Sequence, residues 1–260
     1  MNLQTSPRPA IADRRLILAT DLDGTFLGGT EHDKQRLYRW IEANRDTIGL
    51  IFVTGRDPEF IIEMCAERDL PWPEYVVGDV GTTIAEVRPD GAIAPIEPLE
   101  QDIAARWGDK GQAVRAMLDG HPGLRLQPTL FRYRVSYDLA PAAYDAAAQE
   151  RVAAMGLDWL ISADRYFDVL PRGVSKGPSL RRLIDHLQID EARVLTAGDT
   201  LNDLSMLASG LQAVAVGNSE PALSARLADL PKVHHARAHG AAGILEAIDA
   251  FELHDIPKGD

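Results

Sequence analysis

The chain has 260 residues, 45% of them hydrophobic and 25% charged, with a formal net charge of −12. That length carries one α/β domain, alone or with a smaller insert. The acidity disfavours nucleic acid or an anionic membrane as a partner, yet leaves an anionic substrate open, because a bound divalent cation inverts the local field.

Residues 1–13 carry Pro7 and Pro9 and no apolar stretch, so they read as a loose arm and not as a secretory leader. No run approaches a membrane span, and the single cysteine, Cys65, excludes an internal disulfide; a cytoplasmic location is expected. Leu16-Ile17-Leu18-Ala19 is an uninterrupted apolar run that predicts a strand buried on both faces. It leads directly into Asp21 and Asp23, where Gly24 releases the backbone into a turn. Over residues 33–45, Leu37, Trp40 and Ile41 recur at helical spacing. Residues 49–53 form a second buried run ending at Thr54-Gly55-Arg56, after which Asp57 and Pro58 open a helix expected to reach Asp69. Tyr75-Val76-Val77 gives a third strand. This alternation implies a doubly wound parallel sheet with right-handed crossovers, a Rossmann-like core.

The alternation breaks after residue 82. Pro89-Asp90-Gly91 is turn chemistry for a hairpin over residues 82–96. A helix is expected over residues 112–119, stopped by Gly120, and residues 129–138 alternate as a strand. Another helix, opened by Pro141 and closed by Gly156, leads to a hairpin of residues 157–162 with 165–170. These segments predict an α+β insert over residues 85–167, set between core segments 14–84 and 168–260. Trp107 reads as a loop residue, either half-buried in the insert or stacked on a pyranose ring. From Ser175 the parallel pattern resumes: a helix over 178–187, a strand over 193–197 ending at Gly198-Asp199, and a helix. Then come a strand over 213–216, a helix near Pro221, a strand over 232–234 and a helix over 241–251. The adjacent His234 and His235 point to opposite faces of a strand and so make a poor metal pair; His239 reads as a helix-entry residue.

Four separated signals fall at strand ends or helix starts: Asp21-Leu22-Asp23-Gly24-Thr25, Thr54-Gly55, Ser175-Lys176-Gly177 and Gly198-Asp199-Thr200-Leu201-Asn202-Asp203. Each alone has a bland explanation as a turn, cap or solvated charge. Together they supply phosphoryl transfer to a carboxylate. Repulsion between a carboxylate nucleophile and a phosphate dianion is cancelled by a magnesium ion, whose oxygen shell suits carboxylates, a backbone carbonyl and water. Asp21 and Asp199 supply carboxylates, Asp203 acts directly or through a water, and Asn202 orients the set. Asp199 and Asp203 stand four apart, which on a helix puts them on one face. Lys176 and Thr54 hold the remaining phosphoryl oxygens. Asp23 protonates the leaving alkoxide and later deprotonates the attacking water.

In this order the motifs resemble the haloacid dehalogenase-like phosphatase superfamily, and the long insert between Thr54 and Lys176 is similar to the cap of its type IIB branch. The resemblance implies Asp21 as nucleophile, Asp23 as acid/base and contributor of a backbone carbonyl to the metal, and Thr54 and Lys176 as phosphoryl binders. It also implies magnesium on Asp21, Asp199 and Asp203. Phe167-Asp168-Val169-Leu170-Pro171, Leu126-Gln127-Pro128, Arg134-Val135-Ser136-Tyr137 and the stretch from His239 to Leu245 look like the sucrose-phosphate phosphatase group. Thr200-Leu201 departs from that group's usual Ser-Gly. With Phe26-Leu27-Gly28-Gly29 and Gly78-Asp79-Val80-Gly81, it looks more like phosphatase domains acting on glucosylglycerol phosphate.

Alternation over residues 129–138 puts Arg132, Arg134, Ser136 and Asp138 on one face, and Phe131, Tyr133, Val135 and Tyr137 on the other. The first face either hydrogen-bonds sugar hydroxyls and phosphate or is a solvated polar face. Arg56, Arg165 and Tyr166 are further substrate-binding candidates. The expected activity is hydrolysis of the phosphate monoester of a small glycoside, with a glycosyl-phosphate synthase as a source of substrate. A sugar phosphomutase is the alternative on the same scaffold, and a non-enzymatic phospho-aspartate switch is the alternative outside catalysis; Asp23 and a covering insert disfavour the switch.

Overall fold

The structure, a computed structural model, describes residues 8–67 and 70–256. The described residues form two sheets. The larger contains β1 (Leu16–Thr20), β2 (Ile48–Val53), β3 (Tyr75–Gly78), β4 (Thr83–Val87), β5 (Ile93–Pro95), β10 (Val194–Gly198), β11 (Gln212–Ala215) and β12 (Val233–His235). Its order is β12-β11-β10-β1-β2-β3-β4-β5, parallel from β12 to β3 and antiparallel beyond. This is the expected Rossmann-like, doubly wound arrangement.

Every residue of β1, β2 and β10 is buried, as their continuous apolar runs require of strands covered on both faces. Side chains alternate across β1, so Leu16 and Leu18 meet α1 (Glu31–Ala43), α2 (Pro58–Glu67) and α9 (Gly240–Ala250) through Leu37, Ile41, Ile61 and Ile244. Ile17 and Ala19 face α6 (Lys176–Leu187), α7 (Leu204–Leu207) and α8 (Pro221–Leu227) through Leu180, Leu183, Met206 and Leu223. The sheet grows outward in opposite directions from β1 and β10. Their carboxyl ends therefore form the topological switch point where ligands bind in sheets of this kind.

The smaller sheet is antiparallel in the order β6-β7-β9-β8, from β6 (Leu124–Leu126), β7 (Val135–Leu139), β8 (Leu157–Ser162) and β9 (Tyr166–Pro171). With α3 (Glu97–Trp107), α4 (Gly111–Met117) and α5 (Ala147–Ala154) it encloses its own core of Trp107, Val114, Val152, Tyr137, Phe167 and Val169. No helix among the described residues is long and apolar enough to cross a membrane.

Several local expectations change. The hairpin of β4 and β5 extends the large sheet past β3, pairing Val77 with Ile84, so residues 85–95 do not belong to the insert's sheet. Conversely, residues 168–171 stay in the smaller sheet, because β9 pairs without interruption to Pro171. The strand expected over residues 129–138 begins only at Val135; upstream, the Arg134 guanidinium stacks on the Phe131 ring at 3.6 Å, which a regular strand would not allow for residues on opposite faces. Helix α3 escaped the periodicity reading, since only Ile103 and Trp107 are buried along it. Trp107 is thus a buried helix-terminal side chain in the core of the smaller layer. Ile11 is buried within a single turn at Ile11–Asp13, so the arm is not loose there; residues 1–7 lie outside the described residues. Helix α2 is described to Glu67, and Asp69 lies outside the described residues.

Candidate active site

β1 delivers Asp21 to the switch point, where its backbone N–H donates to the Ala197 carbonyl of β10 at 2.9 Å. The chain then turns with Asp23 at φ −70°, ψ 121° and Gly24 at φ 80°, ψ −21°, the backbone of a type II turn. Glycine is required there twice over. Its φ is left-handed, and a Cβ would lie 2.2 Å from Asp199 Oδ2. That close approach lets Thr25 Oγ1 donate to Asp199 Oδ1 at 2.8 Å.

Lys176 is the first residue of α6, after the extended Ser175. Gly177 lets this helix start press on α7, since a Cβ would meet the Ser205 carbonyl oxygen at 2.0 Å. The ammonium is fully buried and donates to Asp21 Oδ1 at 2.6 Å, Asp203 Oδ1 at 2.7 Å and Asn202 Oδ1 at 2.9 Å. Asp203 reaches this position by a route the sequence spacing did not anticipate. Residues Leu201–Asp203 form one tight turn, and Asp203 Oδ2 accepts from the backbone N–H groups of Asp199 and Thr200 at 3.1 and 3.0 Å. Asp199 lies before that turn, so a shared helical face is not what joins the two acids.

Carboxylate oxygens of Asp21, Asp199 and Asp203 lie within 4.8 Å of one another, all on buried residues. Three acids face one ammonium, leaving surplus negative charge away from water. Burial is the main cause that pushes the Asp21 carboxyl up; Lys176 opposes it, while Asp203 and Asp199 add to it. Burial and the neighbouring Asp203 push Asp199 to about 7, against the pull of the Thr25 hydrogen bond. Burial alone would lower the Lys176 ammonium, but Asp203 and Asp21 overcome it and hold it above its ordinary value. A hard divalent cation fits this donor set, because oxygen ligands with uncompensated charge are what such an ion requires.

Above these groups opens a cavity of about 370 Å³, lined by Asp21, Asp23, Thr54, Arg56 and Asn202 below, and by Gln127, Arg134, Ser162, Tyr166 and Asp168 from the smaller layer. Thr54 is buried at the end of β2. Asp23 and Arg56 are both exposed and form a two-pronged ion pair at 2.9 and 3.2 Å. Of the other substrate-binding candidates, Arg134 and Tyr166 line the cavity, and Arg134 is the charged one. Arg134 is buried, 3.5 Å from Asp168, 3.7 Å from Asp79 and 3.4 Å from the Gly55 carbonyl oxygen. Ser136 sits behind it, donating to Asp168 Oδ1 at 2.5 Å. Arg132 pairs with Glu100, and the exposed Arg165 has its guanidinium 5.3 Å from the Tyr166 ring centre; neither lines the cavity. Gln127, Ser162 and Asp79 were not singled out from sequence as substrate contacts. The acid Asp168 within the apolar run of β9 is a further sequence signal for this wall, beside Arg134 and Tyr166.

Residues 14–252 match the family model described as Sucrose-6F-phosphate phosphohydrolase. A Pseudomonas anguilliseptica protein named glucosylglycerol-phosphate synthase is 42% identical over 239 residues, covering 91% of this chain; the chain spans only 31% of that relative's length. A mannosylfructose-phosphate phosphatase from Agrobacterium fabrum is 28% identical, with 91% of this chain and 97% of that protein covered. Among solved structures, a Synechocystis sucrose-phosphatase in complex with sucrose and phosphate superposes with a TM-score of 0.82 at 25% identity, covering 92% of this chain and 98% of that one.

Proposed function

The chain belongs to the sucrose-6F-phosphate phosphohydrolase family, and on that premise we propose that it is a magnesium-dependent phosphatase acting on the phosphate monoester of a small glycoside, of the glucosylglycerol 3-phosphate or sucrose 6-phosphate type. That it is a phosphoric monoester hydrolase follows from the family and the sucrose-phosphatase relatives. The observation that carries the mechanism is the convergence of Asp21, Asp199, Asp203 and Lys176 beneath a polar cavity at the switch point.

In this reading a carboxylate oxygen of Asp21 attacks phosphorus while Asp23 gives its proton to the departing alcohol oxygen, leaving an aspartyl-phosphate. Asp23 then takes a proton from water, whose oxygen attacks phosphorus, and the phosphate leaves as Asp21 is regenerated. Arg56, held against Asp23, keeps that carboxylate at the cavity mouth. Lys176 and Thr54 stabilise the equatorial phosphoryl oxygens where charge builds up. Magnesium, held by Asp21, Asp199, the Asp23 carbonyl and Asp203 directly or through water, with Asn202 orienting the set, would offset repulsion between the nucleophile and the phosphate dianion. The smaller layer acts as a cap that selects the leaving alcohol through Arg134, Asp168 and Gln127, and keeps bulk water off the intermediate. A glycosyl-phosphate synthase as the source of the substrate is part of the same proposal.

Phosphate release from glucosylglycerol 3-phosphate, sucrose 6-phosphate, mannosylfructose phosphate and trehalose 6-phosphate, with and without magnesium, tests this. One preferred glycoside phosphate and full dependence on the cation are expected. Activity of Asp21→Asn within about tenfold of the parent overturns the assignment of the nucleophile, because such a loss is too small for removal of a covalent catalyst.

A further inference from the structure

Both acidic loops of the site are fastened to one short turn that takes no part in the cavity. Between β11 and α8 the chain passes through Gly217, Asn218, Ser219 and Glu220. Asn218 Nδ2 donates to the Gly24 carbonyl oxygen at 2.9 Å, while its Oδ1 accepts from the Gly240 backbone N–H at 2.8 Å. It thereby clips the loop carrying Asp21 and Asp23 to the start of α9. Two residues on, Glu220 Oε2 accepts from the Leu201 backbone N–H at 2.9 Å, and the Glu220 backbone N–H donates to the Asp199 carbonyl oxygen at 2.8 Å. That end clips the loop carrying Asp199 and Asp203. Neither Asn218 nor Glu220 lines the cavity.

We propose that Asn218 and Glu220 are positioning residues that set the spacing of the Asp21 and Asp199 carboxylates for a divalent cation, by bracing the two loops against a common turn. The physical need is plain. The two loops come from distant parts of the sequence, carry like charges and face each other across the left-handed Gly24, so repulsion drives them apart unless backbone anchors hold them. Outer partners of this sort orient the groups that touch a cation without touching it themselves. The inference rests on the metal-dependent reading above and adds to it a source of the carboxylate geometry.

The test is magnesium binding to the substrate-free protein by titration calorimetry, with phosphate-release kinetics and thermal unfolding alongside. Asn218→Ala and Glu220→Ala are each expected to weaken magnesium binding by about tenfold, the low end for outer partners, since Asn218 is exposed. Each should lower kcat with KM for the glycoside phosphate held within about twofold. Glu220→Gln keeps an oxygen acceptor for the Leu201 N–H and should bind magnesium within about twofold of the parent. Asn218→Asp keeps the acceptor for Gly240 but loses the donor for Gly24, and should bind as weakly as the alanine variant. Should the alanine variants fail to fold, Asn218→Asp and Glu220→Gln decide the matter. Parent-like affinity in Asn218→Asp, or a loss in Glu220→Gln as large as in Glu220→Ala, overturns the proposal. If the parent itself neither binds magnesium nor depends on it, the metal-dependent reading fails first, and the bracing role with it.

Discussion

The Lys176 ammonium meets the Asp21 carboxylate at 2.6 Å with both side chains buried, and the same nitrogen lies 2.7 Å from Asp203. A charge so placed serves folding and chemistry together. Lys176→Met should strand two carboxylates in the interior, costing on the order of 3–5 kcal/mol in urea unfolding near pH 8. Its phosphate release should fall by about 10²–10³-fold. A variant of parent stability would show that water already screens the cluster.

Stability should depend on pH in a direction set by these acids. In the cation-free protein the folded-state carboxyls of Asp21 and Asp199 are raised above the ordinary aspartate range, Asp21 to about 8 and Asp199 to about 7. Groups raised in this way favour the folded state at low pH, and that contribution is lost as pH climbs from about 4 through 7 for Asp199 and through 8 for Asp21. A cation binding the ionised acids reverses the loss and releases protons. The rise in Tm caused by magnesium should therefore be larger at pH 8 than at pH 6; an equal rise at both would contradict the assignment of these carboxylates as ligands.

Asp23 and Arg56 make a different kind of pair, exposed and at the cavity mouth. Asp23→Asn should slow turnover by about 10²–10⁴-fold, the usual share of a positioned acid/base. Because water attack on the intermediate is slowed too, phosphoprotein should accumulate and be visible by intact-mass measurement after acid quench. Slow turnover with no such species would remove Asp23 from the second half-reaction.

Gly24 is a point of close approach between the two acidic loops. Gly24→Ala puts a methyl group 2.2 Å from Asp199 Oδ2 and forces an alanine into φ +80°. The half-saturating magnesium concentration should rise by about tenfold or more, while β1 and its neighbours remain folded by circular dichroism. Unchanged magnesium dependence would mean that Asp199 can shift without consequence.

Arg134 tests the role of the smaller layer. It lines the cavity between Asp168, Asp79 and the Gly55 carbonyl oxygen, so Arg134→Lys retains charge but loses the planar fork. KM for a glycoside phosphate should rise by about tenfold, with that for p-nitrophenyl phosphate, which offers no sugar, nearly unchanged. Equal effects on both would place Arg134 on the phosphate and not on the leaving alcohol.

The parallel core and its site acids were legible in one dimension because their physics is local. Continuous apolar runs mark strands buried on both faces, and carboxylates following such runs mark strand ends. Asp21 and Asp199 follow such runs and Thr54 ends another, while Lys176 stands out by its place at a helix start. What the three-dimensional arrangement alone decided was everything that depends on contact between distant segments. Asp203 joins the cluster through a tight turn and two backbone N–H groups, not through helical spacing. The hairpin of β4 and β5 adds to the large sheet because the edge of β3 is there to be paired, a fact no alternation pattern contains. Arg132 leaves the cavity for Glu100, while Arg134, two residues away, lines it between two acids from different layers. Spacing along a chain tells which faces are apolar; which polar side chain finds which partner is settled only when the layers close and burial makes an unpaired charge costly.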